Sequence, residues 1–304
     1  LSGSGRATTG TAEAGLVVVD KPAGLTSHQV VARCRRLLGT RKVGHAGTLD
    51  PMATGVLLIG VNRATRLLGH LMLTRKAYSA TLRLGVGTVT DDAEGETTLR
   101  PGVTDLDPAA LEAALVPLRG LIEQVPTAVS AIKVDGVRSY ARVRAGEDVA
   151  LAARPVTVHR LDVTARRDLV VDGVPCVDLD VVVECSSGTY VRALARDLGT
   201  TLGSAGHLTA LRRTAVGPFG LDEAVPLTDA TESLPVLGLT DVVRRTFATV
   251  VLDAEQEAAV RVGRALPGLA LPAEQAALLS VEDEFLALYR RRGDGAVADA
   301  VFCG

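Results

Sequence analysis

The first apolar cluster of the chain is Leu16-Val17-Val18-Val19, closed by Asp20 and the breaker Lys21-Pro22-Ala23-Gly24. A short unbroken apolar run bounded in this way predicts a buried strand over residues 16–20. Thr26 or Ser27 supplies a cap, and a helix is expected over residues 28–38. Residues 56–61 (VLLIGV) predict a second buried strand, and residues 63–72 a short helix. Residues 77–84 alternate, with Tyr78, Ala80 and Leu82 on one side, and predict a third strand. An acidic, turn-rich stretch over 88–105 follows, then a helix opened by Asp107-Pro108 and running to about residue 118. Residues 177–184 (VDLDVVVE) form a core strand, 186–188 a turn, and 189–198 a helix whose apolar stripe is Val191, Leu194, Ala195 and Leu198. Strands separated by helices and long excursions, with no regular βαβ repeat, indicate an α+β fold.

The irregular segment 124–150 mixes an Asp135-Gly136 turn with basic residues and reads as a hairpin followed by a short helix, a loop-rich insertion suited to clamping a substrate. Residues 220–240 read as a connector. Residues 241–304 read as a small appended unit, with a turn near Pro267 and a strand in LLSVEDEFLALYR. Residues 1–14 lack a positive region followed by an apolar one, so they are read as a flexible tail or an appended remnant rather than a signal peptide.

Composition narrows the function classes. Apolar residues make up 47% of the 304 positions and aromatics only 3%, so the core is built from Val, Leu and Ala. Cys34, Cys176, Cys185 and Cys303 form neither a CxxC pair nor a ligand-like cluster with the five histidines, which argues against structural zinc and disulfides and fits a reducing, cytoplasmic setting. No apolar run is long enough to span a bilayer as a helix. The net charge is -2, yet residues 1–80 carry eleven Lys and Arg against three Asp and Glu. A basic quarter on a nearly neutral protein can focus a polyanion onto one region.

The chemistry-bearing candidates lie near the basic quarter and on the late helix. In GHAGTLDPMATGVL, residues 44–57, Asp50 sits in a glycine-punctuated loop that leads into an apolar strand. A carboxylate there can act as nucleophile, base or electrostatic group, and local sequence alone does not choose among these roles or exclude a turn residue. His45, five positions earlier, is a candidate contact for phosphate or base. Arg192 and Arg196 are four apart on the predicted helix; Asp197 can balance Arg196 and leave Arg192 to pair with a loop carboxylate. Tyr78 is either a core residue or a stacking platform for a nucleobase. The stretch GVGTVT, residues 85–90, is neither a dinucleotide fingerprint nor a Walker loop.

Together these segments resemble the bacterial tRNA pseudouridine-55 synthases. The resemblance runs through about residues 15–220, over VVDKPAGLTSH, GHAGTLDPMATGVL, KAYSATLRLG, VPTAVSAIKVDGVRSYARVRAG, CSSGTYVRALARDLG and GHLTALRRTAVGPF. It implies a pseudouridine-synthase core with a central mixed, mainly antiparallel sheet and flanking helices over 15–240. Within that core the RNA-binding insertion would fall at about 124–150, and a small PUA-like domain would follow over 241–304. It implies Asp50 as the catalytic aspartate, Tyr78 as the tyrosine against the target base and Arg192 as the partner of Asp50. His45, Lys21, Pro22 and Leu211 would support or contact the target nucleotide. Basic residues such as Lys133 and Arg142 of the insertion would neutralise phosphates, as would Arg33, Arg35, Arg36, Arg41 and Lys42. The implied partner is the tRNA T stem-loop, with no membrane and no obligatory protein partner, and the implied reaction needs no metal or cofactor. Pro126-Thr127 departs from the Pro-Pro form more common in the family. A scaffold that binds RNA without catalysing its rearrangement is the competing reading.

Overall fold

The computed structural model describes residues 13–127, 133–134, 137–138 and 151–303. Its organising element is one sheet with eleven strands among the described residues. The main strands are β1 (Gly15–Lys21), β2 (Val43–Ala46), β3 (Thr54–Val61), β4 (Lys76–Leu84), β5 (Gly120–Gln124), β6 (Arg154–Val171), β7 (Val174–Cys185) and β8 (Gly206–Val216). Across the sheet they run β1-β3-β8-β4-β7-β6-β5, with β2 on β3. The β3–β8 pairing is parallel and the other pairings among these eight are antiparallel. The sheet is therefore mixed and mainly antiparallel, and the fold is α+β as the sequence predicts.

The two kinds of apolar pattern have different causes. In β1, Val17 and Val19 join the main core, while Leu16 and Val18 point to a second core shared with the C-terminal unit. In β3, Leu57 and Ile59 face one core and Val56 and Leu58 the other. Covered on both faces, these strands read as continuous apolar runs. Burying a side chain such as Leu57 or Ile59 stabilises the fold by roughly 1.5–3 kcal/mol. Strand β4 instead alternates: Tyr78, Ala80, Leu82 and Leu84 face the core, while Arg83 pairs with Asp178 at 2.8 Å and Thr81 with Asp180 at 2.7 Å on the other face.

Helix α1 (Ser27–Leu37) is started by Thr26, whose hydroxyl accepts the Gln29 N–H in a reciprocal capping box. The segment expected as one helix at 63–72 splits into a 3₁₀ turn, Asn62–Arg66, and a four-residue helix, Leu68–Leu71. Helix α2 (Pro108–Leu115) is capped by Asp107 and tightens into a 3₁₀ turn at Val116–Leu118. Helix α3 (Val191–Thr201) buries Val191, Leu194, Ala195 and Leu198.

Sequence reading missed the longest strand. β6 spans 18 residues and pairs with β7 through the two-residue turn Asp172-Gly173, with φ of 47° and 79°. Much of its distal half is exposed or only partly buried, which erases the period-2 signal, but the Asp-Gly turn was a legible hairpin mark. In the insertion, Lys133–Val134 pairs with Val137–Arg138 as the Asp-Gly signal predicts.

The C-terminal unit has helices α4 (Leu239–Thr246) and α5 (Ala254–Arg261). Its four-stranded sheet consists of β9 (Ala248–Val251), β10 (Gln275–Leu279), β11 (Phe285–Arg292) and β12 (Gly295–Val301). LLSVEDEFLALYR is two strands, not one. Ser280 Oγ accepts the N–H groups of Glu282 and Glu284, at 3.2 and 3.1 Å, and Asp283 turns the chain at φ 66°. Ala277, Leu279, Phe285, Leu288 and Phe302 pack against the second face of β1 and β3.

Candidate active site

The loop between β2 and β3 carries Asp50, and its neighbours are tied to the strand and helix that precede it. Fully buried Ser27 donates to Leu49 O at 3.1 Å and accepts Leu49 N–H at 2.9 Å. Pro51 O accepts Gly24 N–H at 2.8 Å and the Lys21 ammonium at 3.1 Å. Gly55, at φ 99°, lets β3 pass so close to β8 that an added Cβ would lie 2.1 Å from Arg213 O. A carboxylate on a loop pinned at both sides is held ready, with little reorganisation left for the reaction.

Asp50 lies in a cleft of about 270 Å³ whose lining includes Thr48, Lys76, Tyr78, Tyr190, Arg192, Leu211 and Arg213. Arg192 Nη2 is 3.1 Å from Asp50 Oδ2. The same guanidinium donates through Nη1 to Thr90 O at 2.8 Å and lies 3.4 Å from buried Asp92 Oδ2. One arginine thus joins two carboxylates. Burial raises the pKa of Asp50 above its usual range, and Asp92 adds to that, while Arg192 and Lys21 oppose it. Arg192 is what keeps an ionised Asp50 tolerable in a partly dry cleft.

Tyr78 and Arg213 stand opposite one another on β4 and β8. Arg213 is 1% exposed; it donates from Nε to Val56 O at 2.7 Å and from Nη2 to Gly47 O at 3.0 Å, and its guanidinium also meets the Tyr78 phenol. Burial pushes the Tyr78 pKa up and that of Arg213 down, and each group partly offsets the shift of the other. Lys76, at the same end of the cleft, donates to Met72 O and Thr74 O, and burial lowers its pKa to about 8. Replacing Arg213 with Met strands two carbonyls and empties a buried cation site. A loss of about 2–4 kcal/mol is expected in urea unfolding, and an unchanged midpoint would count against this role.

The structure brings Asp50, Tyr78, Arg192 and Leu211 to one cleft. It corrects the placement of Lys21. This side chain is wholly buried beneath the loop, its Nζ donating to Pro22 O, Leu25 O and Pro51 O, so it supports Asp50 from behind and does not reach a substrate. Desolvation lowers its pKa to about 8. Pro22 is half-buried and His45 packs edge-on against His28 at 5.5 Å; neither lines the cleft. Arg142 lies outside the described residues, as does the side chain of Lys133. Of the basic group near α1, Arg33 is engaged with Asp229 and Arg35 with Val43 O, while Arg36, Arg41 and Lys42 are exposed. Sequence reading missed Asp92, Tyr190 and Arg213. Asp92 was hidden in a stretch that reads simply as acidic turns, and Arg213 in a strand where an arginine ordinarily faces water.

Comparison with known proteins decides the family. Residues 35–191 match the N-terminal domain of TruB family pseudouridylate synthases, and residues 192–237 match the tRNA pseudouridylate synthase B C-terminal domain. The chain belongs to the TruB family. It is 58% identical over 284 residues to tRNA pseudouridine synthase B of Cutibacterium acnes, covering 92% of this chain and 94% of that protein. It is 58% identical over 281 residues to the protein of the same name from Nocardia farcinica, covering 92% and 90%. Among solved structures, a chain of a Cbf5-Nop10-Gar1 complex superposes with a TM-score of 0.69 at 26% identity, over 95% of this chain and 84% of that one. The boundary between the two TruB models falls at the start of α3, and β8 of the second model is inserted between β3 and β4 of the first. The catalytic core of this TruB-family chain is therefore one folded unit across both models.

Proposed function

We propose that this chain converts uridine 55 in the T loop of tRNA to pseudouridine, with Asp50 as the reacting carboxylate. The observation that carries the reading is the Asp50–Arg192 pair, 3.1 Å apart, in a cleft also lined by Tyr78, in a TruB-family chain. In the reaction the bond from ribose C1′ to uracil N1 breaks, the base turns, and C1′ bonds to C5. The C5 proton leaves and N1 gains one, so composition is conserved and no co-reactant is consumed. Asp50 acts either by attack at C1′ or by assisting loss of the 2′ proton through a glycal. Tyr78 packs on the detached base and helps the C5 proton leave after the new bond has formed. A stacked uridine is out of reach, so the target is flipped out at a cost of roughly a few kcal/mol that contacts in the cleft offset. Arg36, Arg41, Lys42 and the 124–150 insertion serve the RNA backbone, with 241–304 a PUA-like companion. On this reading the protein works in the cytoplasm, beside its tRNA.

The test is site-resolved pseudouridine mapping on an unmodified tRNA transcript, with Asp50→Asn in parallel. A new pseudouridine confined to position 55 and absent with the variant supports the reading. Modification at another uridine replaces the target, and tight T-arm binding without modification replaces catalysis with RNA binding. Affinity for tRNA should also fall roughly tenfold or more between about 50 and 200 mM salt, because neutralised phosphates release counterions. A flat response would remove the basic surface from the binding argument.

A further inference from the structure

Asp91 is a buried carboxylate that no step above uses. It does not line the cleft, yet the residues on either side of it are both partners of Arg192: Thr90 through its carbonyl and Asp92 through its carboxylate. Its backbone is left-handed, φ 56°, a conformation that costs an L-residue energy and persists where the surroundings hold it. Two side chains hold it. Thr127, 0% exposed, donates its hydroxyl to Asp91 Oδ2 at 2.9 Å, and Arg196 Nη1 lies 3.1 Å from the same oxygen. Arg196 also donates to Val125 O at 2.7 Å, so residues 125–127, at the root of the insertion, are tied twice to this corner. Arg196 follows Arg192 by one turn of α3, which makes two stacked links between helix and acid loop: Arg192 to Thr90 and Asp92, and Arg196 to Asp91.

We propose that Thr127, Asp91 and Arg196 form a positioning unit that fixes the acid loop, and through it the orientation of Arg192 toward Asp50. The proposal rests on the reading of Asp50 as the reacting carboxylate. Burial favours the neutral form of Asp91, and Arg196 and the Thr127 hydroxyl both favour the charged form that grips the helix. None of the three side chains lines the cleft, so each acts through Arg192. Valine at 127 keeps the shape of the side chain and removes the donor, leaving a buried carboxylate one hydrogen bond short. The Pro-Thr sequence matters here because a proline at 127 has no hydroxyl to give.

The test is single-turnover pseudouridine formation on an unmodified tRNA transcript with enzyme in excess, run over enzyme concentration. The saturating rate and the half-saturating concentration are then read separately. Thr127→Val should lower the saturating rate about five- to tenfold and leave half-saturation within about twofold, because the interaction lost acts on the reacting geometry and not on the RNA. Thr127→Ser, which keeps the donor, should return to within about twofold of wild type. Adding Thr127→Val to Asp91→Asn should slow the reaction little beyond Asp91→Asn alone, since the two side chains act as one unit. A wild-type saturating rate in Thr127→Val, a loss confined to half-saturation, or a Thr127→Ser protein as slow as Thr127→Val would each overturn the proposal and leave the assigned activity standing. An inactive wild-type protein would overturn that activity, and this proposal with it.

Discussion

Asp50→Asn is expected to lower pseudouridine formation by ~10⁴-fold or more while tRNA affinity stays within a few-fold of wild type, since removing the group at the centre of covalent chemistry costs far more than removing a binding contact. The amide keeps the size of the carboxylate and its acceptor oxygen, so Arg192 retains a neutral partner as well as Asp92. On the proposed function, the lost property is the charge that starts the exchange at ribose. Stability should behave in the opposite sense. The pKa of Asp50 is raised in the folded protein, so the native state binds this proton more readily than the unfolded chain does. The ionised carboxylate therefore costs stability at neutral pH, and that cost shrinks as pH falls below the folded pKa and is gone below the lower pKa of the unfolded chain. The Tm of Asp50→Asn at neutral pH should be no lower than that of wild type. A turnover rate near wild type in the folded variant would remove Asp50 from the chemistry; a sharply lower Tm would show that its charge is structural.

The parts of this molecule that sequence made legible are those in which one local cause dominates. The capping box at Thr26 and Gln29, the Asp107 cap followed by Pro108, and the stripe on α3 are all set within one turn of chain. The unbroken apolar runs of β1 and β3 could be read as strands, but not the reason for them, which is a C-terminal sheet packed on their second face more than 200 residues away. β6 escaped notice because much of its outer half is partly or fully exposed, and an Asp-Gly turn alone does not announce a strand of 18 residues. The site divides in the same way. Asp50, Tyr78 and Arg192 lie in motifs whose company points to them as candidates, and the structure gathers them in one cleft; Arg196 with Asp197 left Arg192 as the arginine to pair with a loop carboxylate. Asp92 and Arg213 matter through partners distant in sequence. Arg213 looks like a surface strand residue until β3 and the β2–β3 loop close over it and supply two carbonyls. Lys21 shows the reverse: grouped by its motif with the residues that support or contact the target nucleotide, it spends its ammonium on three backbone carbonyls behind the loop.

Arg192→Met is expected to slow the reaction at neutral pH by about 10²- to 10³-fold, the scale of leaving a buried charge without its partner. Arg192 is 5% exposed and holds Asp50 and Asp92 together, so its removal leaves two carboxylates in one partly dry place. Burial already raises the Asp50 pKa and Asp92 raises it further; Arg192 is the largest opposing influence. Without it the pKa of Asp50 climbs, a smaller fraction is ionised at neutral pH, and the rate should recover as pH increases. The acid limb of the pH–rate profile must therefore move to higher pH. Arg192→Lys separates charge from geometry. It retains a cation, so the acid limb should stay near its wild-type position, yet one ammonium cannot reproduce the planar fork that reaches Asp50, Asp92 and Thr90 O together. Its rate should be low across the whole pH range. Identical pH profiles for the Met and Lys variants would show that Arg192 holds the loop in shape without setting the ionisation of Asp50. An upward shift with Met alone would assign it both tasks.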